Sequence, residues 1–110
     1  MIKIPVDIIE SPDSYTIIAD IPGVEKENIQ ITGSENSVSI KALRYEKNFS
    51  SGKYIVMERV KGVMSRTVKF KNLINLSKAR ATYHNGILTV EIPKAQNEFI
   101  IDGYFKILIF

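Results

Sequence analysis

The chain has 110 residues, 45% of them hydrophobic, with no cysteine and a formal charge of +3. That length suits one compact domain around one core, and the lack of cysteine excludes disulfides, thiol catalysis and cysteine-based zinc sites. Charge is unevenly spread: residues 1–40 hold two Lys against seven Asp or Glu, whereas residues 41–94 hold twelve Lys or Arg against three Glu.

Val6-Asp-Ile-Ile-Glu10 reads as a short strand ended by the turn residues Ser11-Pro12-Asp13-Ser14. Tyr15-Thr-Ile-Ile-Ala-Asp-Ile21 follows as a β-branched strand that stops at Pro22-Gly23, where a type II turn wants Pro and then Gly. Residues 24–28 are polar and predict one irregular or helical turn. Ile29-Gln-Ile-Thr32 and Val38-Ser-Ile-Lys-Ala42 alternate apolar and polar residues, and Gly33-Ser-Glu-Asn36 between them makes a hairpin. From residue 43 to residue 53 the pattern breaks into a long polar segment that embeds Tyr45 and Phe49; a loop of that length inside one domain usually has its own role. Strand character resumes at Tyr54-Ile-Val-Met57 and is plain from Val63 to Lys71, where Met64, Arg66, Val68 and Phe70 share a face.

Asn85-Gly86 predicts a type I′ hairpin, because both residues tolerate φ > 0. The two-residue loop fixes the register: His84 faces Ile87, Tyr83 faces Leu88, Ala81 faces Val90 and Ala79 faces Ile92. The opposite face then pairs Thr82 with Thr89 and Arg80 with Glu91. Pro93 closes the second strand. No stretch keeps a 3.6-residue period over ten residues, so an all-β fold is expected, a β-sandwich ahead of a partly closed barrel.

Pro93-Lys-Ala-Gln-Asn-Glu98 is a polar linker, and nine of the last twelve residues are apolar. Such a segment left in water invites aggregation. It either adds to its own sheet or docks on a neighbouring subunit as an extended chain whose alternate side chains fill pockets.

Chemistry is sparse. The single histidine, His84, sits beside a turn on the polar face. Glu25 and Glu27 occupy a solvated turn, Ser50 and Ser51 have no accompanying base, and neither GxGxxG nor GxxxxGK[ST] occurs. The expectation is no enzyme, no catalytic residue, no cofactor and no metal. No apolar run approaches the roughly 20 residues of a membrane-crossing helix, and Met1 to Pro5 is too short for a secretory leader. A soluble cytoplasmic protein without a membrane partner is therefore expected.

Three segments, in this order, resemble the small heat shock protein (α-crystallin domain) family, and its archaeal type most. Asp20-Ile-Pro-Gly23 with the following Val24 to Ile29 looks like the DxPG turn. Gly62-Val-Met-Ser-Arg66 resembles the G-x-F-x-R strand, with Met64 in place of Phe. Ala81-Thr-Tyr-His-Asn-Gly-Ile-Leu88 is similar to A-x-x-x-n-G-v-L. The signature positions are thus Asp20, Pro22, Gly23, Gly62, Arg66, Ala81, Asn85, Gly86 and Leu88.

The resemblance implies an immunoglobulin-like β-sandwich over residues 6–94, with residues 1–5 as a very short arm and residues 95–110 as a C-terminal extension. It implies an ATP-independent holdase that binds partly unfolded client proteins under stress. It also implies a homodimer in which part of residues 43–53, including Tyr45 and Phe49, swaps onto the partner's first strand at Val6 and Ile8. The tail motif maps to Ile107-Leu108-Ile109, with Phe105-Lys106-Ile107 as a competing register, and links dimers into larger homo-oligomers. Its groove involves Ile29, Ile31, Ala81 and Tyr83. Family members usually carry a longer apolar arm that contributes to substrate capture and assembly, where here only Met1 to Pro5 precede the domain, and Asn72-Leu73 stands where Leu-Pro is common. Two other readings compete: a monomeric co-chaperone of related fold, and a single-strand nucleic-acid binder that uses the basic middle with Tyr and Phe as stacking platforms. The motifs favour the holdase, so no nucleic-acid partner is expected.

Overall fold

The alternation of apolar and polar residues resolves into two stacked sheets. The computed structural model describes residues 2–45, 51–95 and 105–110, and all statements below concern those residues. The strands are β1 (Ile2–Lys3), β2 (Val6–Glu10), β3 (Ser14–Asp20), β4 (Ile29–Gly33), β5 (Ser37–Arg44), β6 (Gly62–Lys69), β7 (Arg80–His84), β8 (Ile87–Pro93) and β9 (Phe105–Lys106). One sheet runs β1-β6-β5-β4-β9 and the other β2-β3-β8-β7. The fold is an all-β sandwich. Two 3₁₀ turns, Lys26–Asn28 and Leu76–Lys78, join strands.

The core follows from period-two burial. Tyr15, Ile17 and Ala19 of β3 and Leu88, Val90 and Ile92 of β8 face Ile29 and Ile31 of β4, Val38, Ile40 and Ala42 of β5, and Met64 and Val68 of β6. Each fully buried Ile or Leu contributes about 1.5–3 kcal/mol relative to exposure. Tyr15 and Phe70 stack with ring centroids 4.3 Å apart, and the Tyr15 hydroxyl donates to Asn72 Oδ1 at 2.5 Å. These two rings are buried, which removes them as stacking platforms for bases.

The β7–β8 register is the one the sequence predicts, from Arg80 with Glu91 through His84 with Ile87. Ala79 lies just outside β7 and takes no part in the ladder. Asn85 and Gly86 adopt φ of 53° and 76°, as a type I′ turn requires. The tip of this hairpin is buttressed by the Pro22–Gly23 turn: the Ile21 amide donates to the Gly86 carbonyl at 2.8 Å, and a β-carbon at Gly86 would lie 3.0 Å from Pro22 Cα.

Two segments differ from the sequence expectation. Ile2–Lys3 is not a separate arm, because it pairs in parallel with β6 and places Ile4, fully buried, in the side of the sandwich. Ile4 is held by its amide to the Ser65 carbonyl at 3.1 Å, and its carbonyl accepts from Arg66 Nη1 at 3.2 Å. Tyr54, Ile55, Val56 and Met57 form no strand, and every residue from 51 to 60 is exposed. Physically, a strand needs a vacant edge. β1 takes the place beside Met64 and Ser65 of β6, and residues 54–57 join neither sheet.

Replacing Gly86 by Ala forces a side chain into left-handed backbone and against Pro22. Urea unfolding should show a loss of about 1–2 kcal/mol; an unchanged midpoint would contradict the buttress.

Candidate functional site: an apolar groove between the sheets

A sandwich of two sheets is open along its two sides. The N-terminal side is closed by Ile4, and the opposite side lies between the edge strands β4 and β7. Ile29 and Ile31 project into that opening from β4, and Ala81 and Tyr83 from β7. Ala81 is fully buried and leaves the space that a larger residue would fill.

The chain's own end lies there. β9 pairs antiparallel with β4, Thr32 facing Lys106 and Gly33 facing Phe105, and the Ile107 amide donates to the Ile31 carbonyl at 3.0 Å. Three residues on, the segment crosses to β7. Ile109 bridges Ala81 in parallel, the Phe110 amide donates to the Ala81 carbonyl at 2.7 Å, and the Tyr83 amide donates to the Phe110 carbonyl at 2.9 Å. Ile107 is buried and Ile109 half-buried, while Leu108 is 74% exposed, so alternate side chains point in and out. Within one chain, Ile107 thus lies along Ile31, and Ile109 and Phe110 lie along Ala81 and Tyr83. A cavity of about 210 Å³ remains beside the tail along β4, lined by Lys26, Ile29, Ile31, Ile107 and Ile109 among others.

Local chemistry fixes the groove walls. The Tyr83 hydroxyl reaches the carbonyls of Ile21 and Val24 at 2.6 and 2.8 Å, sharing one proton between them, and so ties β7 to the Pro22–Gly23 turn. Gly33 has no room for a β-carbon, which would meet Leu76 Cδ2 at 2.6 Å; its bareness lets Leu76 close the end of the core beside β9. Tyr83 falls on an unspecified position of the Ala81–Leu88 motif, and Gly33 belongs to none of the motifs quoted from the sequence. Gly33 reads there only as a turn glycine, and the hydroxyl partners of Tyr83 lie about 60 positions away.

The other predicted site is the edge of β2. Val6 packs partly against the core, but Ile8, on the inward face, is 46% exposed and Ile9 49%. The end of β2 is pinned by Glu10, whose carboxylate meets Lys94 Nζ at 2.8 Å; hydrogen bonding to Lys94, then its charge, holds the Glu10 carboxyl below its ordinary pKa. Of the residues expected to swap, residues 43 and 44 belong to β5, Tyr45 is exposed, and Phe49 lies outside the described residues. His84 is exposed, and no group of three His, Asp or Glu able to hold a metal occurs among the described residues. No helix among them is long and apolar enough to cross a membrane.

The description of the Hsp20/alpha crystallin family matches residues 7–102. The chain belongs to that family. A 17.7 kDa class II heat shock protein of Arabidopsis thaliana is 33% identical over 86% of the chain and 62% of its own length. An 18 kDa heat shock protein of Clostridium acetobutylicum is 36% identical over 81% and 60%. The chain therefore spans about three fifths of the length of these curated relatives. Among solved structures, heat shock protein 16.0 from Schizosaccharomyces pombe superposes with a TM-score of 0.78 at 26% identity, covering 87% of this chain and 69% of that one. A small heat-shock protein from Xylella fastidiosa gives 0.71 at 26%, covering 91% and 94%. Plant and bacterial relatives match this well, so the likeness is to the family broadly rather than to an archaeal type.

In this family member the tail should depend on its two inward Ile side chains. Truncating Ile107 and Ile109 to Ala removes buried methyl groups worth about 2–5 kcal/mol at a full core site, and less at the half-buried one. Amide exchange should then rise by at least tenfold at Phe110 while Val90 stays protected. Equal protection at Phe110 in the variant would contradict this docking.

Proposed function

We propose that this protein is an ATP-independent holdase whose β4–β7 groove captures extended apolar segments of partly unfolded proteins. One observation carries the reading: the groove holds its own tail by main-chain hydrogen bonds on both walls and by two inward side chains. Main-chain bonds do not depend on sequence, and pockets for alternate apolar residues demand little of it. That is the recognition a holdase needs, because unfolding chains share exposed apolar residues and free backbone rather than a common motif.

The tail is tied to the domain through residues 96–104, so it re-enters its groove at high effective concentration. A client displaces it by mass action, and no nucleotide step is needed. Tail docking in cis also protects the β4 and β7 edges from uncontrolled pairing at rest. The same contacts made on a neighbour's groove would join subunits into larger assemblies, in line with the distinct high order structure of the small heat-shock protein from Xylella fastidiosa.

Dimerisation uses β2. Among the described residues its outer edge has no partner strand, and Tyr54, Ile55, Val56 and Met57 are strand-forming residues that join neither sheet. Ile55 is 92% exposed and Val56 66%. Asp7 and Glu10 lie on the edge strand, and Lys53, Arg59 and Lys61 flank the loop segment, so opposite charges meet when one subunit's segment adds to its partner's β2. Residues 54–57, just beyond residues 43–53, are the strand proposed for the exchange.

Two measurements test this reading. Without nucleotide, a few-fold excess of the chain should suppress light scattering by a heated client; no suppression contradicts the holdase. Val56→Pro removes a ladder amide and should convert dimer to monomer in sedimentation, with the fold retained. An unchanged mass contradicts strand exchange.

A further inference from the structure

Arg44 is a structural joint that none of the family motifs includes. It is the last residue of β5, at the root of the loop that returns to Gly62, its cross-strand partner. Gly62 adopts φ of 111°, backbone that favours glycine, where the returning limb enters β6. The guanidinium bridges two separate segments. Nη2 donates to the Pro22 carbonyl, and Nη1 donates to the Val60 carbonyl at 3.3 Å. Nε is shut off from solvent and has no acceptor. The planar fork is therefore held by the two carbonyls it joins, at the expense of its third N–H, a geometry that a lysine cannot reproduce.

The turn it grips also touches the groove. Pro22 packs on Gly86, the Ile21 amide bonds the Gly86 carbonyl, and the Tyr83 hydroxyl reaches the carbonyls of Ile21 and Val24. The Tyr83 amide in turn donates to the Phe110 carbonyl of the docked tail. An unbroken series of contacts thus runs from Val60, three residues past the exposed Met57, to the end of the tail.

We propose that Arg44 is a positioning residue that anchors the exchange loop to the Pro22–Gly23 turn, so that dimerisation through residues 54–57 and tail docking at Ala81 and Tyr83 support each other. The proposal rests on the strand-exchange and groove readings above and adds the link between them. In the conformation seen, Arg44 holds the limb at Val60 while Ile55 and Val56 stand free for a partner, and the tail is docked at the same time. One anchor serves both. Linkage of this kind is reciprocal: whatever a docked tail adds to dimer affinity, dimerisation adds to tail affinity.

The test is a double-mutant cycle on the dimer dissociation constant, measured by sedimentation at concentrations where only monomer and dimer are present. Truncating Ile107 and Ile109 to Ala should raise that constant about fivefold or more in the wild-type background. In Arg44→Met the same tail change should have no effect, and the dimer should already be weaker. Arg44→Lys, which keeps the charge, serves as the second variant if the Met form does not fold, and should behave as Met does. Equal tail effects in both backgrounds overturn the proposal, as does no tail effect in the wild type. Val56→Pro run alongside separates the two failures: if it leaves the mass unchanged, strand exchange itself is wrong, and if it gives monomer while the cycle shows no coupling, only the role of Arg44 falls.

Discussion

The unpaired strand edge is the constraint on which the rest of this structure depends. A two-sheet sandwich has edges it cannot close by adding residues to its middle, and exposed edges pair with whatever chain is near. Here β1 lies along Met64 and Ser65 of β6, the tail lies along β4 and bonds to β7, and among the described residues the outer edge of the five-residue strand β2 has no partner strand. The two sides of the sandwich are plugged by the two ends of the chain, Ile4 on one and Ile107 with Ile109 on the other.

The proposed function rests on how firmly each edge is covered. The β4 edge is covered by a two-residue strand and the β7 edge by an isolated bridge, so a few hydrogen bonds and two side chains separate the closed groove from the open one. A cover of that kind is displaced by a competitor of similar chemistry, whereas the core strands behind it, with seven- and eight-residue ladders, remain. Local opening at low free energy beside a stable scaffold is the arrangement that binding segments draw on generally. The chain belongs to the small heat shock protein family, and the way its edges are covered supports the exchange of tail for client proposed for it.

Much of this is legible in the sequence where local chemistry decides it. The β7–β8 hairpin follows from Asn85-Gly86 and from the alternation on either side, because a two-residue turn leaves one register. The sandwich follows from repeated period-two burial. The groove walls at Ile29, Ile31, Ala81 and Tyr83 come from the resemblance, and the structure sets the tail against them. What the sequence hides is whatever depends on vacant edges. Tyr54, Ile55, Val56 and Met57 have every local mark of a strand and join neither sheet of the sandwich. Met1 to Pro5 looks like a stub, yet Ile4 is fully buried by contacts to Ser65 and Arg66 some sixty positions away. Arg44 and Gly33 carry no motif at all, and their roles exist only once Pro22, Val60 and Leu76 are brought beside them.

The central claim is that the tail and an unfolding client compete for one groove. Amide exchange during titration with a heat-unfolded client tests it directly. The Phe110 amide, which belongs to the tail, should lose protection as client is added, while the Tyr83 amide, which belongs to the wall and passes from the tail's carbonyl to the client's, should keep it. Full protection at Phe110 at client concentrations where aggregation is already suppressed would show that capture occurs elsewhere and contradict the account.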